Sequence, residues 1–245
     1  MEYFSTNSRS DGFGAQYQNF VFCILFAELN NVKYAHNPIK NIEHNYDNDP
    51  FFIEKLEQLM NIKNNYTNVD EITDSKIIQY LSHEPVYRFV ENNINFCLQS
   101  DSMKRCKNHF WSNKIRYFTN QPNIINVAIH IRSVNIGDGI NARQYIDNKY
   151  FLYVIHRIRE KYVGSQLKFH IFSQGNDCDF SMFFNPDTIL HLNEDICDTF
   201  IALVSADILV TSESSLSYTA ACLSDGIIYY LPFWHKPASH WITVI

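Results

Sequence analysis

The sequence predicts an α/β protein whose C-terminal half is a doubly wound parallel sheet. Three observations point there. Strand-like and helix-like segments alternate from 121 to 231 with little spare loop. Phe151, Val154, Ile155, Ile158 and Tyr162 recur at helical spacing and make one apolar face for a sheet, while Arg157, Arg159 and Glu160 turn mostly elsewhere. The strand-like runs end in His130, Arg132, Ser173, Ser212 and Ser214, where a parallel sheet presents its carboxyl ends to ligands.

In chain order, "EYFST" (2–6) reads as a short strand, "SRSDGFGAQ" (8–16) as a glycine-containing loop and "YQNFVFCILFAELNN" (17–31) as a mostly buried helix. Together they make one β-loop-α unit. Helices are expected over "DPFFIEKLEQLMNI" (49–62) and "EPVYRFVENNINFCL" (84–98), with weakly defined connections. Polar and turn residues in "FTNQPN" (118–123) separate two apolar regions, which divides the chain into domains 1–120 and 121–245, the first small and helix-rich. In the second, "INVAIHI" (125–131), "LKFHIFS" (167–173), "TILHL" (188–192), "DILVTS" (207–212) and "GIIYYL" (226–231) are strands. The helices between them are "YFLYVIHRIREKY" (150–162), "DTFIALVSA" (198–206) and "SLSYTAACLS" (215–224).

Bulk properties limit the function. A chain of 245 residues, 46% hydrophobic, can bury two cores of roughly 100–150 residues each. A net charge of -6 offers no general cationic surface for nucleic acid or anionic lipid, so an anion must be captured locally. Aromatic residues are plentiful but lack the basic interleaving of a nucleic-acid platform, and are read as core. The longest apolar run, "FVFCILFA" (20–27), is well short of the roughly 20 residues that span a bilayer. With no cationic segment before it, the protein is expected to be soluble and cytoplasmic. Cys23, Cys97, Cys106, Cys178, Cys197 and Cys222 form no CxxC pair and are expected as reduced core thiols. In that context the "NYT" sequon at Asn65 is read as chance.

Several constellations compete for the chemistry. Gly12 and Gly14 precede a helix, where backbone can approach a phosphate, but the third glycine of a dinucleotide fingerprint is missing and an ordinary turn fits as well. Asp177 and Asp179 have the spacing of a divalent-metal pair, yet they precede an apolar stretch, which favours helix capping. His235 and His240, in "WHKPASHW", are separated by Pro237 and lack a third ligand, so a packed or solvated pair is expected. No GxSxG, P-loop or HExxH pattern occurs.

Four segments, in this order, resemble motifs of the fucosyltransferase superfamily, which includes the α1,2-, α1,6- and protein O-fucosyltransferases. They are "SDGFGAQYQ" (10–18), "HIR" (130–132), "FSQG" (172–175) and "DTFIALVSADILVTSESSLSYTAACLS" (198–224), the last being the most specific. The resemblance covers the C-terminal half well and the N-terminal half only at its first loop. It implies a GT-B-like pair of Rossmann-type domains, a GDP-fucose donor, a glycan acceptor, inversion at the anomeric carbon and no metal. It also implies roles by position. Arg132 grips the donor diphosphate, His130 lies beside the nucleotide, and Gly14, with Gly12 beside it, faces the phosphates from the other domain. Asp198 accepts hydrogen bonds from the guanine edge, and Ser214 and Ser215 bind phosphate at a helix start. Ser133 stands where the motif has a second arginine; Arg143 either compensates or is an ordinary surface arginine.

The chemistry agrees with those roles. Breaking a sugar–diphosphate bond puts negative charge on the leaving group, which a bidentate arginine and helix-start N–H groups stabilise. The acceptor hydroxyl needs a base, for which Asp138 is the first candidate and Asp11 and Glu213 follow. Two alternatives stay open: a transferase using another nucleotide sugar, and a non-catalytic sugar- or nucleotide-binding relative.

Overall fold

A computed structural model describes residues 2–45, 47–74, 77–118, 123–132 and 146–244. The chain divides into two compact units, Met1–Ile115 and Arg116–Ile245, and both are mixed α/β with parallel sheets. Among the described residues no helix is long and apolar enough to cross a membrane.

In the first unit, β1 (Tyr3–Thr6) leads to α1 (Phe13–Leu29) and β2 (Lys33–Tyr34). The helix is apolar around most of its circumference, so nearly all of it is buried, with Cys23, Leu25 and Ala27 fully enclosed. It starts at Phe13 rather than at the expected Tyr17. Gly12 is therefore its N-cap in extended backbone, and Gly14 is buried in the first turn instead of lying in a loop. No side chain caps this end; the Ala15 and Gln16 N–H groups reach the Gly12 carbonyl at 3.1 and 3.2 Å. A Cβ on Gly12 would come within 2.8 Å of the His44 ring, so close approach of that ring requires glycine here.

Next come α2 (Phe52–Met60), a 3-10 turn at Val69–Glu71 and β3 (Ile78–Leu81). The three strands pair in parallel in the order β2-β1-β3. The single helix expected over 84–98 is two, α3 (His83–Asn92) and α4 (Ile94–Gln99). The break has a local cause: the Asn93 side-chain amide donates to the Phe89 carbonyl at 2.8 Å, competing with the backbone ladder. Ser100 then accepts from the Met103 N–H and starts α5 (Asp101–Trp111), which the sequence reading passed over.

The second unit contains β4 (Ile124–His130), α6 (Asn148–Lys161), β5 (Gln166–Ser173), a 3-10 segment at Asp177–Phe183 and β6 (Thr188–Leu192). Then follow α7 (Ile196–Ser205), β7 (Ile208–Val210), α8 (Ser215–Leu223), β8 (Ile227–Tyr230) and β9 (Ile242–Thr243). All six strands are parallel, in the order β6-β5-β4-β7-β8-β9. Counted from β4, that order is 3-2-1-4-5-6, which reverses direction between β4 and β7. Every expected strand and helix of this half is present, and β9 is an addition.

The expected face of α6 is the one buried: Phe151, Val154, Ile155 and Ile158 pack on Val127, Ile129, Phe169, Ile171, Ile208 and Val210, with Tyr162 partly buried beside them. Strand alternation sends Ala128, His130, His170 and Phe172 to the opposite face. Gly226 opens β8 where a Cβ would lie 2.3 Å from the Ala206 carbonyl oxygen, so only glycine lets the two backbones meet.

All six cysteines are free thiols. Cys23, Cys97, Cys106 and Cys222 are buried as expected, whereas Cys178 is exposed and Cys197 half-buried, because both sit at helix starts facing out of the fold. Burial pushes the Cys23 and Cys106 thiols up to about 12, which keeps them protonated and inert.

Candidate functional site

The reversal between β4 and β7 is the place where a doubly wound sheet opens a crevice at its carboxyl edge. Pairing of Val127 with Ile208 and of Ile129 with Val210 sets the two strand ends side by side. His130 Nδ1 and the Ser212 hydroxyl meet across that junction at 2.8 Å, both buried. Burial, reinforced by the Arg132 charge, lowers the His130 pKa to about 3. The imidazole is thus neutral near pH 7 and serves as a hydrogen-bonding group rather than a cation.

Arg132 follows two residues later, half-buried, with no carboxylate partner among the described residues. A cation placed at a strand end without a counter-ion invites an anion. Opposite it, the β7–α8 connection is fixed by its own hydroxyl groups. Ser214 Oγ accepts from the Leu216 N–H, the Ser214 N–H donates to the Ser212 carbonyl at 2.7 Å, and the Ser212 N–H donates to Ser217 Oγ at 3.1 Å. The Thr219 hydroxyl reaches the Ser215 carbonyl at 2.7 Å. Ser214 is the N-cap of α8 and Ser215 its first residue, so the positive end of the helix dipole is held rigidly at the same carboxyl edge as Arg132.

The start of α7 has the opposite polarity. Asp195, not Asp198, is its N-cap, accepting from the Cys197 and Asp198 N–H groups at 2.7 and 3.4 Å. Capping therefore does not account for Asp198, whose residue is exposed in the first turn. Glu194 and Asp198 also help raise the Tyr117 phenol, after burial, so this corner is acidic and suits N–H donors rather than phosphate. Beside it runs a chain of hydrogen bonds: Glu194 Oε1 to His191 Nδ1 at 2.7 Å, and His191 Nε2 to His170 Nδ1 at 3.0 Å. The His191 ring stacks on Phe172 with centroids 4.5 Å apart. Burial first, then His191 and Lys168, lower the His170 pKa to about 4.

The second unit's sheet thus brings His130, Arg132, Ser214 and Ser215 to one carboxyl edge. Asp198 stands on the helix that follows β6. Gly12 and Gly14 belong to the first unit, one as the cap of α1 and the other within it. Asp11 is held by a bidentate contact with Arg9. Glu213 is half-buried in the β7–α8 connection. Ser133, Asp138 and Arg143 lie outside the described residues. Asp179 takes part in a capping box, accepting from the Asn176 N–H at 3.0 Å. His235 is buried against Tyr218, while His240 is exposed, so they are no pair.

Sequence reasoning missed the His130–Ser212 bond, the His170–His191–Glu194 chain and the cap at Asp195. Only the last had a local signal, an aspartate directly before the apolar Ile196.

No protein-family model matches the chain, and no curated protein matches it. Among solved structures it is similar to the fucosyltransferase NodZ from Bradyrhizobium, at 11% identity and a TM-score of 0.47, over 96% of this chain and 97% of that one. It is similar to the E. coli heptosyltransferase WaaC with ADP-2-deoxy-2-fluoro heptose, at 10% identity and a TM-score of 0.48, over 99% and 92%. A third is a mutant of Arabidopsis thaliana FUT1 in complex with GDP, at 10% identity and a TM-score of 0.43, over 98% and 72%. With TM-scores below 0.5, these likenesses assign no role to any residue of this chain.

Proposed function

We propose that the protein is an inverting glycosyltransferase that moves a sugar from a nucleotide diphosphate to a glycan hydroxyl, with GDP-fucose as the donor. One observation carries this reading: Arg132, with no carboxylate partner among the described residues, a neutral His130 and the N-terminus of α8 converge on the carboxyl edge at the β4/β7 reversal. As the sugar–oxygen bond breaks, charge grows on the departing diphosphate. Arg132 and the first N–H groups of α8 stabilise it without reorganisation, and His130 adds a hydrogen bond without adding charge. The exposed Asp198 accepts the paired N1–H and N2–H donors of guanine, which uracil and adenine do not present.

The acceptor oxygen attacks the face opposite the leaving diphosphate, and Asp138 takes its proton. The motif resemblance supports fucose, a GT-B-like pairing of two Rossmann-type domains with Gly12 and Gly14 on the donor side, and turnover without metal. Incubation with GDP-fucose, GDP-mannose, UDP-glucose and ADP-glucose, read by chromatography of released nucleotide, tests it. GDP-fucose should be consumed fastest. Equal turnover of the UDP-sugar removes GDP-fucose from the reading, and no turnover or binding of any of them removes the transferase.

A further inference from the structure

The loop 231–241 leaves the carboxyl end of β8, one strand over from the anion site, and shows an aromatic face to solvent. Trp234 is 60% exposed, between a half-buried Phe233 and a buried His235. The loop is tied to the anion site at its start, where the Leu231 N–H donates to Thr211 Oγ1 at 3.1 Å. It is also fixed from beneath. The Tyr218 hydroxyl donates to the Lys236 carbonyl at 2.8 Å, and the Tyr230 hydroxyl to the His235 carbonyl. Tyr218 and Tyr230 are both fully buried, and the Tyr218 ring packs on His235 at 4.8 Å. Tyr218 belongs to α8, so one helix holds both the phosphate-facing N-terminus and this loop.

The indole N–H is already used, donating to His235 Nε2 at 3.2 Å, and the Phe233 ring lies 5.0 Å away. Trp234 therefore has its ring face left to offer, held in one orientation. A flat apolar face of this kind matches the C–H face of a pyranose, whose axial hydrogens meet the electron-rich ring while its hydroxyl groups stay in water. Its place decides which part of a substrate it meets. The acidic start of α7 follows β6, on the far side of β4, so a nucleotide with its base there and its diphosphate at Arg132 and α8 directs its sugar toward β8. Trp234 is three residues beyond Leu231, within roughly 10 Å of it along the chain.

We propose that Trp234 is a stacking platform for a sugar ring, either the sugar of the donor or the ring of the acceptor. This rests on the nucleotide-sugar reading for its orientation but not for its chemistry. Calorimetric titration of the wild type, Trp234→Ala and Trp234→Phe with GDP and with GDP-fucose, and a glycan array probed in saturating GDP, separate the cases. All three proteins should bind GDP equally. If the donor sugar stacks, Trp234→Ala weakens GDP-fucose about tenfold relative to GDP and Trp234→Phe by no more than about threefold. If the acceptor stacks, that ratio holds and the array signal falls by the same factors. Trp234→Ala leaving both readouts unchanged overturns the proposal. A wild type that binds neither nucleotide overturns the nucleotide-sugar reading instead, and the array without GDP then decides Trp234 alone.

Discussion

Two buried neutral histidines make the second unit sensitive to acid well above the range where carboxylates titrate. His130 and His170 have folded pKa values of about 3 and about 4, each lowered chiefly by burial, against about 6.5 in an unfolded chain. Below pH 6.5 the unfolded state takes up protons that the folded state refuses. Stability is therefore complete above that pH and is lost as the pH falls toward 4, at about 1.4 kcal/mol per pH unit for each histidine. Moving from pH 7.5 to pH 5.0 crosses about 1.5 units of that window, or ~2 kcal/mol per histidine and ~4 kcal/mol for both. At roughly 3 °C per kcal/mol for a unit of this size, the second unit's melting temperature should fall by more than about 10 °C. Differential scanning calorimetry at the two pH values reads this directly. His170→Phe keeps a ring beside Phe118, whose centroid lies 4.6 Å from that of His170, and should remove about half of the drop. A melting temperature that moves by less than about 3 °C, or a full drop surviving in His170→Phe, would refute the reasoning.

Other expectations are more local. Arg132→Ala should lower kcat/KM by roughly a hundredfold or more while melting changes little, since Arg132 is half-buried and has no carboxylate partner among the described residues; near-normal turnover removes it from the site. Asp198→Ala should abolish a preference for GDP over UDP in titration calorimetry, and a wild type that binds both equally ends that role for Asp198. EDTA should leave transfer intact, because the Asp179 carboxylate is engaged in a capping box; loss of activity restored by manganese would reassign Asp177 and Asp179 as ligands.

The second unit was legible because its signals are local and strong. Period-2 runs such as 125–131 and the 3.6-period face of α6 each specify an element, and the hydroxyl-rich end of β7 marks a helix start. The first unit hides its sheet in β2, two residues long, and in β3, whose Gln79 and Tyr80 are exposed. Gly14 made the first turn of α1 look like loop, since nothing short of tertiary packing holds a glycine there. The expected site residues could be placed on strand ends one by one. Their partners could not: His130 meets Ser212 only through the β4–β7 pairing, and His170 meets His191 only through the β5–β6 register.

That β4–β7 pairing also orders events in time. Val127 and Ile208 are joined across the intervening α6, β5, β6 and α7, whereas β4 and β5 need only α6 between them. Long loops are costly to close and slow to find, so the junction is expected to form after the local β4-α6-β5 unit. On a ribosome the crevice has no floor until α8 has emerged. A ligand that binds only where β4 and β7 are paired stabilises that pairing by mass action. Any occupant of the β4/β7 edge therefore also reports that this long-range pairing has formed.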